Sequence, residues 1–254
     1  MAAAPTRLEF TGASGDQLAA RLDRPSEPHA FALFAHCFTC GKDLAAAGTI
    51  ARALGDGGIA VLRFDFTGLG SSEGEFANTD FSSNVGDLVA AAAHLRDHHQ
   101  APRLIVGHSL GGAAVLAAAE QIPEARAVAT IGAPADPSHV EHLLADATPK
   151  IERGGEAEVV LGGRPFTVRR EFFDDIRSQA LLPKVTALDR ALIVFHAPRG
   201  ELVGVDNARR IFDAARHPKS FVSLDDADHL LSRREDATYV GDVLAAWAAR
   251  YLRG

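Results

Sequence analysis

The stretch Leu104-Ile105-Val106-Gly107-His108-Ser109-Leu110-Gly111-Gly112 constrains this chain more than any other. A short apolar run ends in Gly-x-Ser-x-Gly, and an Ala-rich segment, Ala113 to Glu120, follows at once. Ile105 and Val106 are strand formers and the alanines favour helix, so the stretch predicts a strand, a sharp turn and a helix. That arrangement is a nucleophile elbow. Its turn strains the backbone of the central serine, and glycine is needed on either side where neighbouring chain comes close. The hydroxyl then stands clear of the sheet, with a helix N-terminus and the next backbone N–H aimed at a developing oxyanion. The three fixed positions alone arise by chance in roughly one chain of this length in ten, at ~7% Gly. The flanking strand and helix formers separate the motif from a serine in an ordinary strand-to-helix turn.

The rest of the chain alternates in a way that suits such an elbow. Short strands are predicted at Leu8–Phe10 and Gln17–Leu22 around a Gly-Ala-Ser-Gly-Asp turn. Further strands are predicted at Ala30–Ala35, Ile59–Phe64, Ala127–Ile131, Ala191–Phe195 and Ser220–Leu224. Helices are predicted over Lys42–Leu54, from a Ser82-Ser83 cap to His98, over Asp206–Ala215 and over Tyr239–Leu252. The pattern implies an α/β fold: a mostly parallel sheet of about eight strands with helices on both faces.

One stretch, 136–187, breaks the alternation. It is more charged and carries a hairpin pattern, Glu158 to Val168 around Gly162-Gly163. A long excursion between two core strands is expected to form a small cap or lid on a core made of 1–135 and 188–254. Its Phe166, Phe172 and Phe173 are candidates for lining an acyl pocket. That they form the excursion's own small core is an equal alternative.

Composition narrows the partners. Of 254 residues 47% are hydrophobic, enough for one sizeable core and an argument against disorder. A net charge of -7 with no basic run argues against nucleic acid. The opening MAAAPTRLEF lacks the apolar core of a signal peptide, and no apolar run is long enough to span a bilayer. The expectation is a cytoplasmic chain with no membrane association. Two cysteines cannot be a disulfide framework for a chain this long, so reduced thiols are the default.

Parallel strands point their C-terminal ends to one edge of the sheet, so the loops after them converge on Ser109. The loop His36-Cys37-Phe38-Thr39-Cys40-Gly41-Lys42 can offer a second oxyanion N–H, that of Phe38, opposite that of Leu110. Cys37 and Cys40 make a Cys-x-x-Cys, open to a redox or metal reading. No second Cys or His pair completes a zinc site, and packing beside the oxyanion loop is preferred to redox chemistry. The glycines of Asp65 to Gly74 are not followed by Lys-Ser/Thr, so they read as a tight supporting loop rather than a phosphate site. Of the 11 histidines, His94, His98 and His99 fall on or just past a helix, and His217 lies at the wrong edge. His229 follows the last strand at the right edge and is the expected base; His108 and His36 are read as braces.

The segments Ala35-His36-Cys37-Phe38, Asp65-Phe66-Thr67-Gly68-Leu69-Gly70-Ser71-Ser72, Gly107-His108-Ser109-Leu110-Gly111 and Asp228-His229 resemble the α/β-hydrolase superfamily over essentially the whole chain. The His-Cys-Phe-Thr-Cys-Gly-Lys-Asp version is similar to a bacterial serine hydrolase group sometimes fused to an OsmC-type domain. The resemblance implies a serine esterase triad in the order Ser, acid, His. It also reveals a departure: relatives usually carry Asp where Gly200 stands, and many subfamilies carry Gly in place of Cys37. Three carboxylates compete for the acid. Glu201 is one residue displaced with a longer reach, Asp206 stands at a helix start where it is more often an N-cap, and Asp136 follows the preceding strand.

The combined expectation is a carboxylesterase-type serine hydrolase that cleaves small or medium acyl esters through an acyl-enzyme on Ser109. His229 is the base, Glu201 the first choice of acid, and Phe38 and Leu110 form the oxyanion hole. It needs no metal or organic cofactor, takes a small-molecule ester as partner, and leaves a homodimer open. A thioesterase or amidase would use the same parts. A catalytically impaired binding or partner module is the rival from another class, motivated by Gly200.

Overall fold

The computed structural model describes residues 4–38, 40–161, 163–200 and 202–252. Strands β1 (Thr6–Thr11) and β2 (Gln17–Asp23) form the expected hairpin, paired from Thr6↔Leu22 to Thr11↔Gln17. Next come β3 (Ala30–Ala35), α1 (Ala45–Asp56), β4 (Ile59–Phe64), α2 (Phe81–His98), β5 (Leu104–His108), α3 (Leu110–Ala118) and β6 (Ala127–Ile131). The excursion contributes α4 (Thr148–Gly154), a separate hairpin of β7 (Glu156–Leu161) and β8 (Arg164–Arg169), α5 (Arg170–Ser178) and α6 (Leu181–Ala187). Then follow β9 (Ala191–His196), α7 (Asp206–Ala214), β10 (Lys219–Ser223) and α8 (Arg234–Leu252).

Among the described residues, eight strands share one sheet in the order β1-β2-β4-β3-β5-β6-β9-β10. β2 runs antiparallel to β1 and β4, and the remaining pairings are parallel. The chain leaves β3 toward β4 on one side and comes back to β5 on the other. Such a reversal opens a crevice beyond the C-terminal ends of the two strands. The loops after β3 and β5, which carry Phe38 and Ser109, meet there.

β3, β4, β5, β6 and β9 are buried along their whole length, because helices cover both faces of the sheet. Side chains alternate between the two layers. Ala32, Phe34, Val106 and Ile193 pack with Ile50 of α1 and Leu244 of α8. Phe31, Leu33, Ile105 and Val194 belong to the layer of Leu88 from α2 and Val115 from α3. No helix among the described residues is long and apolar enough to cross a membrane.

Three helix starts differ from the sequence expectation, and the closing helix α8 begins at Arg234 rather than Tyr239. The cap of α2 is Asp80, not Ser82 or Ser83. Its carboxylate accepts from Ser83 N at 2.6 Å while Ser83 Oγ accepts from Asp80 N at 2.9 Å, a reciprocal capping box. The helix expected from Lys42 begins at Ala45, because Lys42 is held by Asp65. Lys42 N and Nζ each donate to the Asp65 carboxylate at 2.6 Å, and Ser71 N adds a third bond at 2.9 Å. Asp87 of α2 accepts from Thr67 N, Thr67 Oγ1 and Ala13 N. Burial raises the Asp87 carboxyl pKa, and these donors oppose the rise. The loop after β4 is thereby tied to the loop after β3, in keeping with a supporting role.

The Lys42–Asp65 pair is buried on both sides, at 7% and 2% side-chain exposure. Lys42→Met keeps most of the stem and removes the charge, leaving a buried carboxylate with only backbone donors. Breaking one half of such a pair costs about 3–5 kcal/mol, and the remaining donors place the expected loss near ~3 kcal/mol. Urea unfolding should show a lower midpoint with an unchanged slope. An unchanged midpoint would show that the pair is neutral for stability.

Candidate active site

Ser109 has φ 55° and ψ -125°, a left-handed conformation that a non-glycine residue adopts only under constraint. A Cβ on Gly107 would lie 2.2 Å from Gly111 O, and one on Gly111 would lie 2.4 Å from His36 O. Strand, helix and the loop after β3 therefore touch backbone to backbone at the two glycines of the motif. Ser109 N donates to Ile131 O at 2.8 Å, and Ser109 O receives Gly112 N at 2.8 Å as α3 begins. Leu110 is the first residue of α3, where a backbone N–H has no partner within the helix.

His229 Nε2 lies 2.8 Å from Ser109 Oγ, a hydrogen bond the hydroxyl donates to an unprotonated ring nitrogen. Burial and the imidazole of His196 push the His229 pKa down, against the pull of Asp228, and His139 lowers it further. His229 is accordingly neutral at pH 7. His108, read as a brace from sequence, holds the backbone of His229, and its Nε2–H donates to His229 O at 2.6 Å. Burial and the neighbouring His229 lower the His108 pKa to about 4, so it stays a neutral single donor. Asp228 completes the mounting, accepting from Leu230 N at 2.9 Å, from Ser232 N at 3.1 Å and from Ser232 Oγ. Sequence reasoning saw Asp228 only as part of a motif; its signal was an Asp followed two residues later by the turn it organises.

Two of the three candidate acids are committed elsewhere. Asp136 caps the 3₁₀ turn Pro137–Leu144, accepting from Ser138 N at 2.9 Å and Ser138 Oγ at 2.8 Å. Asp206 lies inside α7 rather than at its cap, which is Val205, and its exposed carboxylate holds Arg209 at 2.7 Å. The structure does not bring either to His229. Glu201 lies outside the described residues. Gly200, Gly132, His196, Ala197 and Val203 line a cavity of about 10 Å³ against His229. That is roughly the room of one water. A Cβ on Gly200 would meet Ala197 O at 3.2 Å and Val203 O at 3.4 Å, so an acid there would need the turn to yield. His196 donates from Nε2 to Val203 O at 2.8 Å, and its buried Nδ1 has no hydrogen-bond partner among the described residues.

Phe38 and Leu110 line one small cavity with His36, Cys37 and Gly111. His36 Nδ1–H donates to Cys37 O at 2.8 Å, Cys40 N donates to the same carbonyl at 3.1 Å, and Phe66 N reaches His36 Nε2 at 3.4 Å. Burial holds the His36 pKa down, which keeps this one-donor, one-acceptor tautomer. In a trans peptide the C=O and N–H point opposite ways. Tethering Cys37 O thus leaves Phe38 N–H directed away from His36. The expectation of two packed thiols is corrected: Cys37 and Cys40 are joined in a disulfide, with Cα atoms 5.2 Å apart. Their spacing lets the side chains meet across the Cys37–Cys40 turn.

The three phenylalanines of the excursion separate. Phe173 is fully buried in the core, with the Arg177 guanidinium 5.4 Å from its ring, so it does not line a pocket. Phe172 is nearly buried but stacks on Phe38, centroids 5.4 Å apart. Half-buried Phe166 meets Phe76 at 4.8 Å, and Phe76 in turn meets Phe38 at 5.6 Å. Phe76 was not picked out from the sequence, having no motif around it. No cluster of three His, Cys, Asp or Glu among the described residues is placed to hold a metal ion.

Comparison with known proteins bears on this geometry. The family described as Serine aminopeptidase, S33 (Hydrolase_4) matches residues 27–153, half of the chain. The crystal structure of the esterase domain from a Rhodothermus marinus protein is 49% identical and covers 99% of this chain and 100% of that one, at TM-score 0.81. A monoacylglycerol lipase of Mycolicibacterium smegmatis is 24% identical over 80% of this chain and 82% of its own length. The mitochondrial palmitoyl-protein thioesterase ABHD10 of Mus musculus is 28% identical over 70% of this chain, which spans 62% of that protein's length. With half its length matched and a solved relative aligned end to end, the chain belongs to the Hydrolase_4 family of the α/β-hydrolase superfamily.

Proposed function

We propose that the chain is a carboxylesterase-type serine hydrolase that cleaves small or medium acyl esters through an acyl-enzyme on Ser109. The observation that carries this reading is the 2.8 Å hydrogen bond between Ser109 Oγ and a neutral His229 at the tip of a strained turn. His229 Nε2 takes the hydroxyl proton as Oγ attacks the carbonyl carbon. The N–H groups of Leu110 and Phe38 receive the oxyanion, and the imidazolium returns its proton to the leaving alcohol. Water then repeats the cycle on the acyl-enzyme. Glu201 is the residue we assign to His229 Nδ1, where a carboxylate stabilises the imidazolium. The excursion 136–187 serves as a cap, with Phe166 and Phe172, joined by Phe76, along the acyl groove.

Ester is favoured over amide by the relatives, an esterase domain, a lipase and a thioesterase. The aminopeptidase description of the matched family supports amide cleavage as a second reading, with the same nucleophile and base.

Ser109→Ala and His229→Ala are each expected to lower p-nitrophenyl butyrate hydrolysis by about 10⁴–10⁶-fold with unchanged circular dichroism. A fluorophosphonate should label the native chain at Ser109. Near-native turnover by either variant rules out the assignment. A parallel aminoacyl p-nitroanilide assay that outpaces the ester would turn the reading to peptidase.

The pH profile follows from the lowered pKa of His229. Only the neutral imidazole accepts a proton, so kcat/KM should be flat through neutrality and fall on acidification, with its midpoint below the ordinary imidazole value of ~6.5. A midpoint above neutrality contradicts the environment described for His229.

Glu201→Gln is expected to lower kcat by up to about 10⁴-fold, the cost of losing the acid in a well-characterised triad. A silent Glu201→Gln would move the acid to another residue.

A further inference from the structure

The proposed reaction uses the backbone N–H of Phe38 and makes no use of the two cysteines that bracket it. We propose that the Cys37–Cys40 disulfide is a thiol–disulfide exchange site for small-molecule thiols, and that opening it slows the hydrolase by loosening the peptide that carries Phe38 N–H. The inference rests on the reading of that N–H as an oxyanion donor.

The bridge sits between two anchors of the loop. Upstream, His36 is fixed between Cys37 O and Phe66 N. Downstream, Lys42 is fixed through both its backbone and its ammonium to Asp65. Between these anchors the Cys37–Phe38 peptide is held by two bonds on Cys37 O, and one of them comes from Cys40 N at 3.1 Å. The disulfide closes that same turn covalently. A loop of so few residues yields little chain entropy when closed, so the bridge is poorly placed to staple the whole fold. It is well placed to act on the residue it encloses.

The two cysteines differ in exposure. Cys37 is 4% exposed, whereas Cys40 is half-buried. An external thiolate therefore attacks Cys40 Sγ, forming a mixed disulfide there, and Cys37 Sγ leaves as a thiolate that takes up a proton. A second thiol, or the second arm of a dithiol, attacks the mixed disulfide and releases Cys40 as a thiolate, which is protonated in turn. Two electrons enter the protein, two protein thiols form, and one external disulfide departs. An oxidised small-molecule disulfide reverses the sequence.

With the bridge open, Cys40 N is no longer held against Cys37 O, while the Phe38 ring stays stacked on Phe172 and Phe76. The peptide between them is then free to turn. An oxyanion donor displaced by a fraction of an ångström stabilises the transition state less while leaving ground-state binding alone.

The test equilibrates the full chain in glutathione buffers graded from oxidised to reduced, quenches it with N-ethylmaleimide and counts alkylated cysteines by mass spectrometry. The same samples are assayed with p-nitrophenyl butyrate. Both cysteines should become alkylated together as kcat falls about tenfold with KM nearly unchanged, and both changes should reverse on reoxidation. Cys40→Ser should show the reduced rate in every buffer; if it fails to fold, the reduced native chain, checked by circular dichroism, carries the comparison. Cysteines that stay unalkylated in fully reduced buffer overturn the exchange site. Alkylated cysteines with unchanged kcat overturn its effect on the hydrolase. No hydrolysis in any buffer overturns the proposed function itself, and the bridge's role with it.

Discussion

Close backbone contact at Gly107 and Gly111 holds Ser109 in a conformation that costs of the order of 1–3 kcal/mol for a residue with a side chain. β5 runs directly beneath the first turn of α3, and the carbonyl of His36 rests on Gly111. A methyl group at either glycine would push apart the strand, the helix or the loop after β3. The strain persists because it is spread over bonds that belong to the fold itself: Ser109 N to β6, and Gly112 N back to Ser109 O. Ser109, the N-terminus of α3 and the loop after β3 thus form one packed unit at the reversal point of the sheet. The position of His229 has meaning only relative to that unit.

Neutral histidines do much of the positioning. His36, His108 and His229 are all held below the ordinary imidazole pKa, with burial the leading cause in each. A neutral imidazole has one donor and one acceptor, so the partner of one nitrogen dictates what the other can do. His36 gives its proton to Cys37 O and orients the Cys37–Phe38 peptide. His108 gives its proton to His229 O and fixes the backbone of His229. A lysine or arginine in either place would bring a charge into a buried setting at the cost of its desolvation. Buried neutral donors brace these segments without that cost.

The aromatic contacts tie the excursion to the chemistry. Phe166, Phe76, Phe38 and Phe172 meet in succession, so residues from the excursion, the loop after β4 and the loop after β3 share one apolar surface. Ser82 at the start of α2 adds a polar clasp, donating from N and Oγ to Asp175 of α5. These rings pack the excursion against the residue whose backbone N–H lies in the loop after β3.

The sequence by itself determined the local units: the apolar runs of the buried strands, the period of the helices, the glycines around Ser109, and the hairpin within 136–187. These depend on contacts between residues close in the chain, where spacing translates directly into geometry. It also placed Ser109, His229, Phe38 and Leu110 at one edge, since parallel strands leave little choice of edge. The tertiary structure decided the pairings between segments distant in the chain. Lys42 meets Asp65, His108 meets the carbonyl of His229, Phe76 meets Phe38, and Asp136 and Asp206 turn away to cap a 3₁₀ turn and hold Arg209. The cysteines show the limit most sharply. Their spacing permits a bond or two packed thiols alike, and only the structure shows the bond. Lys42 and Asp65 stand 23 positions apart and His108 and His229 stand 121 apart, and strand order, which no local pattern encodes, brings them within reach.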